Sequence, residues 1–258
     1  MEEETLSDYQ ETEFESYEVS VALALDAIGA AEILSAQRAV LVKPNLVNSS
    51  PFPITTSVKC CEEVVKYIKG CSAAEIVVGE GCGSYDEETN EVFDKLGYGE
   101  MAEREGIELL DLNYAATTRL VDQSRPRFPE MHLPKIAMSH YLISIPVLKR
   151  HSLSDVTGSM KNMMGLAPPE HYAGGGGSWK KAVFHSNMHQ SIIDLCSYRS
   201  PDMTLMDATV GMAEFHLGGA HCDPPVNKLV AGYDALAIDR RAAELLGLDW
   251  RGIGHLKG

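Results

Sequence analysis

The sequence predicts an α/β fold with a mostly parallel sheet and helices on both of its faces. The chain has 258 residues, 45% of them hydrophobic, which is enough to bury a large core. Helix-like and strand-like segments alternate over residues 19–112, and this alternation favours parallel strands joined by helices. The strand-like segments are continuous apolar runs, which are typical of strands covered on both faces.

Hydrophobic spacing and end signals predict the elements of the first half. Apolar positions recur at helical intervals over residues 19–35, and residues 38–43 form a buried strand with a polar exit. A helix can begin at a capping residue near Thr55 and end before Gly70. The remaining predictions in this half are strands at 75–79 and 107–112 and a helix at 87–96.

The second half is less regular. Residues 113–138 contain prolines and are expected to hold a short antiparallel excursion, so a boundary between two lobes there is an alternative to a single domain over 19–258. Residues 166–188 show no periodicity and are expected to form a lid. The predicted elements are strands at 141–148, 203–206 and 228–231, and helices at 154–164, 189–198 and 234–246.

The net charge of −15 is unevenly distributed. Residues 1–18 hold eight acids and no Lys or Arg, and they are expected to form a mobile acidic arm. The rest of the chain has a net charge of −7, which argues against nucleic acid as a partner. No signal peptide or membrane-spanning run is recognised, and six scattered cysteines without a CxxC pair are expected to be reduced thiols in a cytoplasmic protein.

Polar side chains follow several predicted strands at the point where each strand ends. In open α/β sheets, ligands bind beyond the carboxyl ends of the strands. We therefore expect the exit residues to converge on one cleft if the strands are parallel neighbours. These residues are Lys43 and Asn45 after the first strand, Glu80 and Gly81 after the second, Lys149 and His151 after the fourth, and Asp207 after the fifth.

Residues 149–162 carry the most information, because a buried strand runs into a cationic turn and then into a predicted helix start. Ser152 and Asp155 resemble a capping box, and a helix N-terminus attracts anions. On such a helix, Thr157 and Lys161 would share one face, and Asn162 would follow them. A solvated basic turn followed by an amphipathic helix is the alternative interpretation.

These residues predict an anionic small molecule, carrying a carboxylate or a phosphate, as the ligand of Lys43, Lys149 and Lys161. His151 or His185 would move a proton, with His171 and His189 as further candidates brought in by the lid. Asp207 would orient a histidine or hold a divalent ion. Lys43→Ala and Lys149→Ala are then expected to abolish binding with thermal stability nearly unchanged.

Several motifs together resemble one family, the domain of unknown function 362. They are VLVKPNL at residues 40–46, IPVLKRH at 145–151, the Lys161-Asn162 pair and MDA at 206–208. The resemblance extends over residues 19–258. It implies no general reaction and no catalytic residues. Some relatives carry an attached iron–sulfur ferredoxin segment, whose cysteine run this chain lacks.

Three functions remain open at this point. An enzyme acting on an anionic small molecule is favoured. The first alternative is a metal or iron–sulfur-linked redox protein that uses Cys82, Cys222, His216 and His221, within one chain or across a dimer. The second is a non-catalytic module that binds an anionic ligand or a partner. The sequence does not identify a cofactor, and it leaves open a divalent metal and a homo-oligomer.

Overall fold

The computed structural model describes residues 8–175 and 179–257. Its strands are β1 (Tyr9–Glu13), β2 (Ala39–Pro44), β3 (Glu75–Glu80), β4 (Glu108–Asp111), β5 (Thr117–Val121), β6 (Glu130–Pro134), β7 (Tyr141–Ile145), β8 (Val147–His151), β9 (Asp155–Thr157), β10 (Met203–Met212) and β11 (Lys228–Gly232). Its α-helices are α1 (Tyr17–Ala27), α2 (Ala30–Ser35), α3 (Val58–Cys71), α4 (Thr89–Lys95), α5 (Tyr98–Glu105), α6 (Lys135–Ser139), α7 (Ser159–Asn162), α8 (Pro169–Tyr172), α9 (Met188–Tyr198) and α10 (Ala235–Leu245).

Within the described residues, nine strands form one mixed sheet in which parallel pairs predominate. Its main path runs β1-β11-β10-β7-β2-β3-β4, and β8 and β9 pair beside β10. The pairs β2–β3, β2–β7, β3–β4, β10–β7 and β10–β8 are parallel. The predicted α/β fold is therefore confirmed.

Two hydrophobic clusters cover the two faces of the sheet, which explains why the central strand β2 begins with four consecutive apolar residues, Ala39–Val42. Along β2, Leu41 packs into one cluster, while Val40 and Val42 pack into the other. Successive side chains of a strand point to opposite faces, so both faces of β2 are buried. None of the described helices combines the length and apolarity needed to cross a lipid bilayer.

The expected antiparallel excursion is the hairpin β5–β6. Phe128, Met131 and Leu133, in and beside this hairpin, lie in the same hydrophobic cluster as Leu142 and Met206 of the large sheet. The hairpin therefore shares its core with the sheet.

The expected mobile acidic arm needs correction where the structure describes it. Residues 9–13 form β1, which pairs antiparallel with β11 at the edge of the sheet. Glu11 contacts Lys228 of β11 at 2.8 Å and also pairs with Arg241 of α10. These partners, distant in sequence, anchor the acidic segment. Residues 1–7 of the expected arm lie outside the described residues.

The helix predicted over residues 154–164 is also wrong in its first half. Residues 155–157 form β9, which pairs antiparallel with β8. Asp155 has φ of 63°, a left-handed conformation that a helix-capping residue does not adopt. Only the short α7 follows, and its first two N–H groups bond to the Asp239 carboxylate of α10, at 2.5 Å and 2.9 Å.

Candidate functional site

A cavity of about 250 Å³ lies beyond the ends of β2, β3 and β8, where the exit rule places a ligand. Its wall brings together nine residues that the sequence predicted: Asn45, Glu80, Gly81, Lys149, His151, Thr157, Lys161, Asn162 and His185. Residues from separate motifs meet here because β2, β3 and β8 run in the same direction within one sheet.

Sequence reasoning missed part of the wall. Trp179 and Lys181 come from the region without periodicity, and Phe215 and Leu217 follow β10. His216 was predicted only for the metal alternative, and it also lines the cavity. Residue 179 forms an isolated antiparallel bridge with Ser84. Long-range contacts of this kind leave no local sequence signal.

Lys43 does not line the cavity, which corrects its predicted role as a direct ligand. Its side chain is fully buried, and its Nζ lies 2.8 Å and 3.0 Å from the two carboxylate oxygens of Glu80. The Glu80 oxygens also accept hydrogen bonds from the backbone N–H groups of Leu46 and Gly81. The Glu80 carboxylate on the cavity wall is thus ion-paired with a lysine that does not line the cavity.

Asn162 links this ion pair to the rest of the wall. Its Oδ1 accepts from Lys43 Nζ at 3.2 Å and from Asn45 Nδ2 at 3.1 Å, while its Nδ2 donates to Ser144 Oγ at 3.0 Å. These contacts determine the orientation of the side-chain amides of Asn45 and Asn162. Asn45 Oδ1 is left buried, with no hydrogen-bond partner among the described residues.

Three lysines give the cavity a positive charge. Burial and the neighbouring Lys161 lower the pKa of Lys149 to about 7, and burial lowers the pKa of Lys181 to about 7. Burial together with Lys43 lowers the pKa of Lys161 to about 8. Glu80 is the only acid among the described lining residues, so the cavity has cationic groups in excess.

Two of these ammonium groups are held by the protein. Lys149 Nζ donates to the carbonyl oxygen of Ile54. Lys181 Nζ donates to Asn113 Oδ1 and to the carbonyl oxygen of Ala167. Lys161 Nζ makes no hydrogen bond within the described parts of the chain, so this amine is available to a ligand.

Three histidines of the cavity favour the neutral form. Burial, followed by the charges of Lys161, His216 and Lys149, lowers the pKa of His151 far below its usual value. His216 stacks on His151 with ring centroids 3.9 Å apart, and burial beside the lysines lowers its pKa to about 3. The backbone N–H of Leu153 donates to His151 Nδ1 at 3.1 Å, so His151 carries its proton on Nε2. Burial and Lys161 also lower the pKa of His185.

The sequence model of the family described as domain of unknown function (DUF362) matches residues 40–244. The chain belongs to this family. Every lining residue of the cavity falls inside the matched segment, from Asn45 to Leu217. The comparison with curated proteins finds no match.

Asp207 does not line the cavity of this DUF362 chain, so its predicted role beside a histidine is corrected. The carboxylate is buried and accepts hydrogen bonds from Tyr17 Oη at 2.7 Å and from Thr209 Oγ1 at 2.7 Å. The predicted strand ended before Asp207, whereas β10 continues to Met212. Asp207 is therefore an interior strand residue that fastens α1 to the sheet.

The three histidines that the expected lid would bring to the ligand lie in different places. His185 lines the cavity, whereas His171 stacks on His132 and His189 stacks on His255. Lys180, in the same segment, donates from its backbone N–H to Gly83 at 2.9 Å. The segment therefore closes one wall through Trp179, Lys181 and His185. Gly176 and Gly177 of the tetraglycine run lie outside the described residues.

The metal alternative proposed Cys82, Cys222, His216 and His221 as ligands. Within residues 8–175 and 179–257, no group of three or more His, Cys, Asp or Glu side chains is arranged to hold a metal ion. Cys82 is buried, and its nearest polar partners include Lys180 Nζ at 3.6 Å. The polar side chains that line the DUF362 cavity are mainly amines, imidazoles and amides, together with the Glu80 carboxylate.

Proposed function

We propose that the protein binds a small anionic molecule, carrying a carboxylate or a phosphate, in this cavity and promotes proton transfer on it. The observation that carries the proposal is that Lys149, Lys161 and Lys181 line one cavity whose single described acid, Glu80, is already paired with Lys43. Buried cations without counter-charges destabilise a folded protein. An anionic ligand would supply the missing negative charge.

Three further groups indicate that the ligand also carries a hydrogen-bond donor. Asn45, Thr157 and His216 line the cavity, and each has one buried polar atom (Oδ1, Oγ1 and Nδ1) with no hydrogen-bond partner among the described residues. Buried polar groups in native proteins are nearly always hydrogen-bonded. Because Asn45 Oδ1 can only accept, it favours a ligand that has a hydroxyl group beside its anionic group.

Proton transfer is supported by the titration range of the lining groups. Lys149 and Lys181, with pKa values of about 7, exist in both protonation states near neutral pH. A general acid or base works best when its pKa lies near the operating pH. Neutral His185 on the same wall is a second proton acceptor.

The first test is isothermal titration calorimetry of the full chain with inorganic phosphate, with malate and with succinate. We expect all three to bind, with malate tighter than succinate because only malate offers a hydroxyl to the unpaired acceptors. Lys161→Met should weaken phosphate binding at least about tenfold, since a charged hydrogen bond contributes about 1.5–3 kcal/mol.

Lys135→Met is the matched control, because Lys135 is exposed on α6 and does not line the cavity. It should leave the affinity for phosphate unchanged. Equal losses in both variants would show that net charge alone governs binding and would overturn the proposed site. Binding without any exchange of the carbon-bound hydrogens of malate in deuterated water would support binding and contradict the proton transfer.

A further inference from the structure

We propose that Lys161 forms an imine with the carbonyl carbon of a 2-oxo acid bound in this cavity. The inference rests on the proposed function and specifies its substrate class. A 2-oxo acid carries a carboxylate for the cationic wall and a carbonyl group next to it. Its enol or hydrated form also offers the hydroxyl that the unpaired acceptors favour.

The three lysines of the wall differ in what holds their nitrogen atoms. Lys149 and Lys181 donate to oxygen atoms of Ile54, Asn113 and Ala167, and both are almost completely buried. To add to a carbonyl carbon, an amine nitrogen must first move into bonding distance of that carbon. Lys149 and Lys181 would first break these hydrogen bonds. They are suited to hold the carboxylate.

Lys161 is the lysine of the wall that has freedom to react. Its side chain is partly exposed to the cavity, and its nitrogen has no hydrogen-bond partner within the described residues. Among the described residues, no carboxylate contacts Lys161, and Glu80 is already paired with Lys43. Desolvation and a nearby second cation are the two conditions that activate lysine as a nucleophile.

The proton balance closes with groups already on the wall. The Lys161 ammonium gives one proton to neutral His185, and the free amine adds its electron pair to the carbonyl carbon. The carbonyl oxygen takes a second proton from the nitrogen and becomes a hydroxyl group. His185 then returns its proton to that hydroxyl, which leaves as water while the nitrogen electron pair forms the C=N bond. The net change is one ammonium and one carbonyl converted to one protonated imine and one water.

Reductive trapping tests this step. The full chain is incubated separately with pyruvate, 2-oxoglutarate and glyoxylate in the presence of cyanoborohydride, and intact mass and peptide mapping locate the adduct. We expect one reduced adduct on Lys161 with at least one of these acids, and excess inorganic phosphate should suppress it. Lys161→Arg should abolish the adduct, whereas Lys135→Arg should not change it.

Lys161→Arg keeps a cation in the wall, so it separates the imine from the anion site. Retained phosphate binding in Lys161→Arg, together with loss of the adduct, supports the inference. An adduct on Lys149 or Lys181, or no adduct with any of the three acids while phosphate still binds, overturns the imine and leaves the anion site in place. Absence of both adduct and anion binding overturns the proposed function as well.

Discussion

Lys43 shows that a charged residue at a strand end can support a cavity wall without lining the cavity, because it pairs with Glu80, which does line it. Their side chains are almost fully buried and paired at 2.8 Å. Glu80 takes four hydrogen bonds, from Lys43 and from two backbone N–H groups. The pair therefore fixes the floor of the cavity and prevents Glu80 from neutralising the other lysines.

Replacing Lys43 should reduce stability, contrary to the expectation from sequence. Lys43→Met should lower the free energy of unfolding by about 3–5 kcal/mol, because it leaves the Glu80 carboxylate buried without its partner. The double variant Lys43→Met/Glu80→Gln should lose less than the single variant. Urea denaturation followed by circular dichroism measures both.

Lys66→Met is the control for this pair. Lys66 also lies 2.8 Å from a glutamate, Glu63, but its side chain is 47% exposed. An exposed pair contributes about 0–1 kcal/mol, so the control should change stability little. A loss in Lys43→Met no larger than in Lys66→Met would refute the supporting role of the buried pair.

Most of the candidate site was predictable at the level of single residues, because strand exits are visible as apolar runs that end in polar residues. The two errors have separate physical causes. Lys43 follows the exit rule, but the sequence does not show that Glu80 would meet it from the adjacent strand. The predicted role of Asp207 was wrong because β10 continues six residues beyond Met206, the predicted end of that strand. Trp179 and Lys181 were missed because tertiary contacts alone place them.

At the level of elements, α7 depends on a residue from another helix. Asp239 of α10 is fully buried and accepts hydrogen bonds from the first two N–H groups of α7. A Cβ atom at Gly158 would collide with this carboxylate, so α10 packs closely against the start of α7. Because α7 carries Lys161 and Asn162, the position of α10 determines part of the cavity wall.

Asp239→Ala should therefore affect both stability and binding. We expect a loss of about 1–3 kcal/mol in the free energy of unfolding, since two buried N–H groups lose their acceptor. Phosphate affinity, measured by calorimetry, should fall as well because α7 loses its anchor.

Asp234→Ala provides the comparison. Asp234 caps α10 through the N–H groups of Leu236 and Ala237, on the exposed surface. Loss of such a cap lowers stability by about 1 kcal/mol, and phosphate affinity should stay the same. If Asp239→Ala binds phosphate as well as Asp234→Ala does, α7 is not positioned by this contact.

The same region shows why elements were less predictable than site residues. The good helix formers of residues 154–164, such as Met160 and Lys161, come late in the segment. Asp155, Val156 and Thr157 favour a helix only weakly, and their pairing with β8 places them in β9. Helix propensity is a weak preference that tertiary pairing overrides. In contrast, α3 and α10 lie close to their predicted bounds because each has a strong apolar stripe, although α3 continues through its predicted stop at Gly70 to Cys71. Gly29, with φ of 66°, divides the helix predicted over 19–35 into α1 and α2.

For the whole molecule, the cluster of buried lysines makes stability depend on pH. The pKa values of Lys149, Lys161 and Lys181 are about 7, 8 and 7 in the folded protein, below the ordinary lysine value of 10.5. Between pH 7 and 9 these three lysines therefore bind fewer protons in the folded protein than in the unfolded chain. Stability rises with pH wherever the unfolded state binds more protons.

The unliganded protein should accordingly gain stability from pH 7 to pH 9, measured as the urea midpoint. Phosphate affinity should fall over the same interval, because the anion binds the ammonium forms. Lys161→Met should reduce both slopes, and Lys135→Met should alter neither. Equal slopes of stability against pH in the unchanged protein and in Lys161→Met would contradict the low pKa of Lys161.

The pairing of β1 with β11 has a consequence for the order in which the fold can be completed. Tyr9 lies opposite Gly232, and Glu13 lies opposite Lys228. On the ribosome, β1 is made long before β11, so the two strands cannot pair until the residues between them, 14–227, have been made. Contacts between such distant segments slow folding, and an unpaired β11 edge offers a template for aggregation. Because β1 itself carries Glu11 and Glu13, its negative charge disfavours edge-to-edge pairing with other chains before β11 is present.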